Sequence, residues 1–400
     1  MYKIDSPHAE EFINHDEIMA TLDYAKANKD NRELIRSIID KARDCKGLSH
    51  REAAVLLECD DNDLLEEIYA LAREIKQRFY GNRIVMFAPL YLSNYCVNSC
   101  VYCPYHIKNK SIARKKLTQD EIRQEVIALQ DMGHKRLAIE AGEDPLHNPI
   151  EYILESIKTI YSIKHKNGAI RRVNVNIAAT TVENYRKLKE AGIGTYILFQ
   201  ETYNKANYNI YHPRGMKSKF EWRVNAFDRM GQAGVHSIGM GVLVGLEEWR
   251  TDITMMAYHL RYLQKHYWKT KYSVNFPRMR PAENEGFQPN VIMSDKELAQ
   301  VTFAMRIFDH DVDISYSTRE PANIRDHMAT LGVTTMSAES KTEPGGYYTY
   351  PQALEQFHVS DERTAVEVEK ALKAIGREPV WKDWDASFDH MSKQLHTSAV

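Results

Sequence analysis

The chain begins with a region whose apolar positions have helical spacing. Between residues 8 and 80 apolar side chains recur every three or four positions, and in the stretch 49–57 Ser49 precedes the first apolar residues as a helix cap. The pattern changes at residues 83–90, where a short apolar run is suited to a buried strand. Residues 1–82 are therefore predicted to form an N-terminal helical extension.

From residue 83 onward, short apolar segments alternate with amphipathic segments such as 118–132, 183–191 and 251–266, which are predicted helices. Eight strands with helices between them, over roughly 250 residues, are typical of an α/β fold of the (β/α)8 TIM-barrel type. A doubly wound open sheet would give a similar alternation. The strands are predicted at residues 84–91, 136–141, 172–178, 194–200, 236–243, 272–277, 312–317 and 333–337.

The alternation ends near residue 345. We therefore expect a barrel over residues 83–345, followed by a tail, 346–400, which packs on the barrel and contains a helix at 361–375. In a barrel of this kind the functional groups follow the strands, at the C-terminal rim. Polar clusters do occur there, among them the segment 140–144 after the second strand.

Charge and hydropathy exclude several classes of partner. The 53 basic and 55 acidic side chains give a net charge of -2, which argues against general electrostatic binding to nucleic acid or to an anionic membrane. No apolar run approaches the ~20 residues that cross a bilayer, and the first residues lack an apolar signal region. We expect a soluble, cytoplasmic protein.

Three of the five cysteines lie within eight positions, and an odd count is unlike a disulfide framework. Cys96, Cys100 and Cys103 form a C-x3-C-x2-C pattern with Tyr102 just before the last cysteine. Clustered thiolates suit zinc or an iron–sulfur centre. With His106 as a fourth ligand the pattern fits a non-enzymatic zinc module. With three thiolates alone it fits a [4Fe-4S] cluster that has one open iron.

The pattern resembles the signature of the radical S-adenosyl-L-methionine (SAM) superfamily. Residues 141–143 resemble its GGE motif, which meets the SAM amino group, and residues 241–248 resemble its GxIxGxxE motif, which packs against the adenine. The resemblance implies a [4Fe-4S] cluster whose open iron binds SAM. One electron then breaks the C5′–S bond, which gives methionine and a 5′-deoxyadenosyl radical.

Segments 90–96, 200–203, 317–320 and 340–347 resemble the aromatic amino acid lyases of this superfamily. Up to about residue 203 the chain is more similar to the [FeFe]-hydrogenase maturases, and beyond it to the 2-iminoacetate synthases of thiamine biosynthesis. An engineered fusion of the two kinds of enzyme and a natural intermediate between them would both explain this difference between the halves. Either resemblance implies cleavage of the Cα–Cβ bond of L-tyrosine to p-cresol and 2-iminoacetate (dehydroglycine). A tryptophan lyase or a biotin-synthase-like enzyme is the alternative.

No cysteine follows Cys103, so the chain lacks the thiolates for the second cluster with which the maturases make CO and cyanide. We therefore expect the reaction to stop at tyrosine cleavage. The resemblance also implies an external one-electron donor, a flavodoxin or a ferredoxin, and a thiazole synthase as a partner.

A tyrosine carboxylate bound in a buried site needs a cation, and Arg319 matches the arginine of the family's substrate site. Arg278 and Arg280 are alternatives, and each arginine has a structural salt bridge as its competing role. The other residues expected at the substrate are Tyr91, Ser337 and Ser340. The residues expected at SAM are Tyr102, Ala141, Gly142, Glu143, Asn176, Gln200, Glu201, Gly241, Leu243 and Gly245.

Overall fold

Four helices precede the sheet in the computed structural model, which describes residues 14–166, 168–280, 286–351 and 354–382. The Ser49 side chain accepts the Glu52 backbone N–H and the Glu52 carboxylate accepts the Ser49 N–H, a capping box that begins the third helix as predicted. Residues 8–13 of the predicted helical region lie outside the described residues. The helices are α1 (His15–Ala27), α2 (Arg32–Arg43), α3 (His50–Glu58) and α4 (Asn62–Tyr80).

Eight parallel strands form a closed barrel. Each strand pairs with the next, and the eighth pairs back onto the first through Val85 with Thr335 and Phe87 with Ser337. The barrel prediction is confirmed and the open-sheet alternative is wrong. Every strand lies within two residues of its predicted ends: β1 (Arg83–Ser93), β2 (Arg136–Ala141), β3 (Arg172–Asn176), β4 (Thr195–Glu201), β5 (Ser237–Val242), β6 (Lys271–Asn275), β7 (Asp313–Tyr316) and β8 (Thr335–Ser337).

Helices between the strands cover the outside of the barrel. These helices are α5 (Gln119–Asp131), α6 (Ile150–Ser162), α7 (Val182–Glu190), α8 (Ala226–Ala233), α9 (Trp249–His266), α10 (Asp295–Phe308) and α11 (Ala322–Ala329). The helices predicted at 118–132, 183–191 and 251–266 correspond to α5, α7 and α9. Shorter elements are a hairpin (Lys164–His165 with Gly168–Ala169), two short helices (Tyr208–Tyr211 and Phe220–Val224) and a 3-10 turn (Met216–Ser218).

The N-terminal helices share one apolar core with the barrel. Helices α3 and α4 pack against α10, and α1 packs against α3 and α9. Buried side chains such as Ile35, Leu56 and Leu71 of the extension belong to the same contiguous cluster as Val126 and Phe303 of the barrel helices. Among the described residues, no helix combines the length and the apolar character needed to span a membrane.

The tail contributes the helix α12 (Ala365–Ala374), as predicted, and a short strand, β9 (Glu378–Val380), which was not predicted. β9 pairs in parallel with the start of β1, on the edge where β2 pairs farther along. Just beyond β9, the ring of Trp381 lies 5.2 Å from that of His134. The division into regions 1–82, 83–345 and 346–400 stays a prediction.

Candidate active site

A cavity of about 300 Å³ lies at the C-terminal ends of the barrel strands. Because parallel strands all end at the same rim, residues far apart in sequence meet there. The lining includes Tyr91 of β1, Glu140 of β2, Asn176 of β3, Glu201 of β4 and Ser337 of β8. The polar residues predicted at the ends of different strands therefore line one cavity.

All three cysteines of the motif line this cavity. The Asn98 amide lies 3.8 Å from the Cys96 sulfur and the Gln356 amide 3.7 Å from the Cys103 sulfur, so both donate towards thiolate positions. Burial raises the pKa of Cys100 to about 12 and that of Cys103 to about 11. Buried thiols of this kind need a cationic partner to ionise at neutral pH, and iron supplies one.

The donor set fits a [4Fe-4S] cluster, in which each thiolate binds a different iron. Within the described parts of the chain, no three His, Cys, Asp or Glu side chains form a group that could hold a single metal ion. His106, the fourth ligand of the zinc alternative, is not among the cavity-lining residues.

The cysteine loop is clamped by backbone hydrogen bonds to segments that follow β2 and β4. The Val97 N–H donates to the Glu143 carbonyl at 2.8 Å, and the Val101 N–H donates to the Tyr211 carbonyl at 3.0 Å. The Tyr102 hydroxyl lies 2.8 Å from the ring nitrogen Nε2 of His212. These contacts hold the thiols in place independently of any ligand.

Residues 141–143 lie directly against the cysteine loop and line the cavity. The Gly142 N–H donates to the Ser93 carbonyl at 3.1 Å, and a Cβ at Gly142 would clash with the Tyr95 carbonyl oxygen. Only glycine allows this close approach. The Glu143 carboxylate accepts the Asn98 amide at 2.7 Å. The contact of Ala141, Gly142 and Glu143 with SAM stays a prediction.

The glycines of the second motif, residues 241–248, do not line the cavity themselves, but residues beside them do. Leu243 lines the cavity, whereas Gly241 and Gly245 are not among the lining residues. The space that a Cβ at Gly241 would need is filled by the ring of Phe199, which does line the cavity. Gly245 has a φ of +124° and lies close to Met279, a conformation that disfavours other residues.

Two consecutive residues of β4, Gln200 and Glu201, were predicted to contact SAM, and only the second lines the cavity. Glu201 lines it, and its carboxylate pairs with Lys217 at 2.6 Å. Gln200 is fully buried outside the lining, and its amide has no hydrogen-bond partner among the described residues. Sequence reasoning missed Lys217 because it lies in the short 3-10 turn Met216–Ser218, which carries no motif of its own. Burial lowers the pKa of Lys217, but the nearby acidic groups, Glu201 first among them, together raise it above its ordinary value, so Lys217 is cationic.

Arg319 lines the cavity with its guanidinium carbon 3.4 Å from the centre of the Phe357 ring. Its guanidinium makes no hydrogen bond or ion pair with a described residue. The Ser340 hydroxyl, also in the lining, is buried and likewise has no partner among the described residues. A half-buried guanidinium without an acceptor favours an anionic ligand beside it.

The other two arginines are already occupied. Arg278 forms ion pairs with Glu320 and, at 2.7 Å, with Asp295, and it is not in the cavity lining. This arrangement does not support Arg278 as a substrate contact, because its donors are used in a salt-bridge network. Arg280 lines the cavity, but it donates to the Arg319 carbonyl at 2.7 Å and pairs with Glu320 at 3.2 Å.

Tyr91 and Ser337 both line the cavity and both have protein partners. The Tyr91 hydroxyl donates to the Gln356 amide oxygen at 2.8 Å, and the Ser337 hydroxyl accepts the Thr318 N–H at 3.1 Å. Glu140 is a further residue that sequence reasoning did not assign. Its only signal was its position in the polar segment after the second strand.

Comparisons with known proteins agree with this site. Residues 90–255 match the model of the radical SAM superfamily, and residues 275–378 match the Biotin and Thiamin Synthesis associated domain. A barrel whose rim carries the three-cysteine motif, within a chain that matches this superfamily, defines a radical SAM enzyme. Its cofactors are a [4Fe-4S] cluster and SAM.

A 2-iminoacetate synthase from Salmonella typhimurium is 38% identical over 349 residues, which cover 87% of this chain and 90% of the relative. The structure of HydG, a maturase of the [FeFe]-hydrogenase, superposes with a TM-score of 0.88 at 45% identity, covering 92% of this chain and 80% of that chain. HydG from Carboxydothermus hydrogenoformans gives a TM-score of 0.85 at 36% identity, covering 94% and 85%. The chain belongs to the family that contains the 2-iminoacetate synthases and HydG.

Proposed function

We propose that the chain is a tyrosine lyase that cleaves the Cα–Cβ bond of L-tyrosine to 2-iminoacetate and p-cresol. One observation carries the proposal: a single cavity holds the three thiols of the cluster motif together with the Arg319 guanidinium, which has no acceptor among the described residues. The first feature suits radical SAM chemistry. The second suits a substrate with a carboxylate.

Cys96, Cys100 and Cys103 would hold the cluster. A cluster bound there would provide one electron for the cleavage of SAM, and the resulting radical would abstract hydrogen from the substrate. The surrounding barrel keeps water out, because the walls below the rim are apolar side chains such as Ala138 and Ile197. Exclusion of water protects a reactive intermediate from side reactions.

Arg319 binds the substrate carboxylate through its planar pair of donors. The unpartnered Ser340 hydroxyl is a further donor for the same group. Tyr91, fixed by Gln356, shapes the wall beside the substrate. The residues of the second glycine motif and the segment 141–143 shape the part of the cavity that takes SAM.

Reductive cleavage of SAM consumes an electron, and an external flavodoxin or ferredoxin supplies it. The likeness to 2-iminoacetate synthases supports transfer of 2-iminoacetate to a thiazole synthase. Since no cysteine follows Cys103 in these 400 residues, they supply no thiolates there for a second cluster. The reaction of these 400 residues therefore ends at tyrosine cleavage.

The test is anaerobic incubation of the reconstituted protein with SAM, dithionite and either tyrosine or tryptophan, followed by product analysis. The proposal expects p-cresol from tyrosine and no 3-methylindole or other cleavage product from tryptophan. Turnover of tryptophan alone would refute it. A colourless protein that contains zinc instead of iron and sulfide would refute the whole radical SAM assignment.

A further inference from the structure

Four carboxyl groups line the cavity, and two of them have a cationic partner. Glu201 pairs with the Lys217 ammonium at 2.6 Å and Glu320 with the Arg280 guanidinium at 3.2 Å. Glu143 accepts the Asn98 amide at 2.7 Å. Neither Glu143 nor Glu140, the fourth carboxyl, forms an ion pair with a described residue.

Glu140 faces the cavity from the middle of three neighbouring strands. The strand register places it opposite Tyr91 of β1 and opposite Asn176 of β3. The Asn176 amide and the Arg319 guanidinium, the latter in the loop after β7, are the two groups that favour the ionised form of the Glu140 carboxyl and lower its pKa. Neither group neutralises the carboxyl as a salt bridge would.

Two arginines and two carboxyls of the cavity lining, Arg223, Arg319, Glu140 and Glu143, lack a counter-ion among the described residues. Arg223 donates to the Phe199 carbonyl at 2.8 Å, and Glu143 accepts the Asn98 amide and belongs to the segment predicted at SAM. That leaves Arg319, whose guanidinium has no acceptor, and Glu140. A free α-amino acid carries the complementary pair, a carboxylate and an ammonium group separated by one carbon. SAM carries the same two groups, but in this superfamily its amino and carboxylate groups bind the open iron. Arg319 and Glu140 are thus available to the carboxylate and the ammonium group of the substrate amino acid.

We propose that Glu140 receives the α-ammonium group of the substrate and takes one proton from it. The inference rests on the proposed function and extends it. In this step one N–H bond of the ammonium group breaks and one O–H bond forms on a Glu140 carboxylate oxygen. The +1 and −1 charges both become zero, and no electrons are gained or lost. The neutral amine then has the lone pair that an imine product requires.

The acid–base balance of Glu140 suits this role. Burial raises the pKa of its carboxyl to about 8, although Asn176 and Arg319 oppose the shift. A chain N-terminus titrates at about 8 and the ammonium group of a free amino acid somewhat higher, so a proton can pass between that group and Glu140 at modest cost. In the free protein at pH 7 Glu140 is therefore mostly protonated. Arrival of an ammonium group then displaces one proton per site into solution.

The experiment measures proton release when tyrosine binds. The cluster-loaded protein with SAM, and without reductant so that no turnover occurs, is titrated with tyrosine at pH 7 in buffers of different ionisation enthalpy. Wild-type protein should release close to one proton per tyrosine. Glu140→Gln should release almost none and should bind tyrosine at least about tenfold more weakly. The amine-free analogue 3-(4-hydroxyphenyl)propanoate should bind to both proteins equally, without proton release.

The matched control is Glu343→Gln, because burial also raises the pKa of the Glu343 carboxyl, to about 7, and Glu343 does not line the cavity. This variant should keep wild-type proton release. Glu140→Asp retains a carboxyl and should release a proton with weaker affinity, which keeps the test decisive if Glu140→Gln fails to fold.

The outcomes separate the two proposals. If wild-type protein binds and cleaves tyrosine but Glu140→Gln binds it with unchanged affinity and proton release, this inference alone is overturned. If wild-type protein binds no tyrosine, the proposed function falls, and this inference falls with it.

Discussion

Replacement of Arg319 by Met tests how the cavity recognises its substrate. The change removes the guanidinium but keeps a long side chain against the Phe357 ring, which lies 3.4 Å from the guanidinium carbon. Because Arg319 pairs with no described carboxylate, its loss leaves none of them without a partner. The free energy of unfolding should therefore change little. The substrate carboxylate, in contrast, loses its cation inside the cavity.

Loss of one member of a buried charge pair costs about 2–5 kcal/mol. At 1.4 kcal/mol for each factor of ten, the Kd for tyrosine should rise by about 30-fold to about 4,000-fold. Calorimetric titration of the cluster-loaded protein with tyrosine measures this rise. Titration with SAM should give an unchanged affinity. Arg319→Lys keeps the charge but loses the paired donors, so it should fall between wild type and Arg319→Met.

Arg278→Met is the matched comparison, because Arg278 pairs with the Glu320 carboxylate, which is 3% exposed. This variant should lose thermal stability, whereas Arg319→Met should not. If Arg319→Met binds tyrosine with wild-type affinity, Arg319 has a structural role and the reasoning is refuted. Arg280, which also lines the cavity, would then be the candidate for the carboxylate.

Three further predictions concern the cluster, the tail and the product. Replacement of any motif cysteine by alanine, Cys103 for example, should abolish bound iron and SAM cleavage, whereas Cys45→Ala and Cys59→Ala should do neither; SAM cleavage without Cys103 would contradict the assignment. Arg325 and Asp361 form a fully buried ion pair, so Arg325→Met should lower the unfolding free energy by about 3 kcal/mol. Urea denaturation checks this value, and a wild-type midpoint would show that the pair is dispensable. During tyrosine turnover, this chain should release no CO, trapped with deoxyhaemoglobin, and no cyanide; release of both at the rate of p-cresol would contradict the single-cluster interpretation.

The fold was predictable because its signal is periodic. Each barrel strand is a short apolar run between amphipathic helices, so all eight could be placed within two residues. β9 could not be predicted, because its three residues, which include Pro379, are too few to show an alternation of apolar and polar side chains. Its pairing depends on the free edge of β1 beside Ile84, which is known only once the barrel has closed.

The site was predictable where a motif marks it and not elsewhere. The cysteines have a fixed spacing, whereas Lys217 and Glu140 depend on partners distant in sequence. A polar residue at a strand end shows that the rim is near, but it does not show which carboxyl lacks a counter-ion. Likewise, the sequence around Gly241 suggests a ligand contact, yet the space beside it is filled by Phe199. Contacts of this kind follow from three-dimensional packing and have no local signature.

The most direct test of the central claim is the stoichiometry of products in an anaerobic reaction with SAM, tyrosine and dithionite. A tyrosine lyase should form p-cresol, 5′-deoxyadenosine and 2-iminoacetate, the last detected as glyoxylate after hydrolysis, in equal amounts. All three should be absent from the variant that lacks Cys103. Formation of 5′-deoxyadenosine without p-cresol, together with turnover of a different amino acid, would contradict the account.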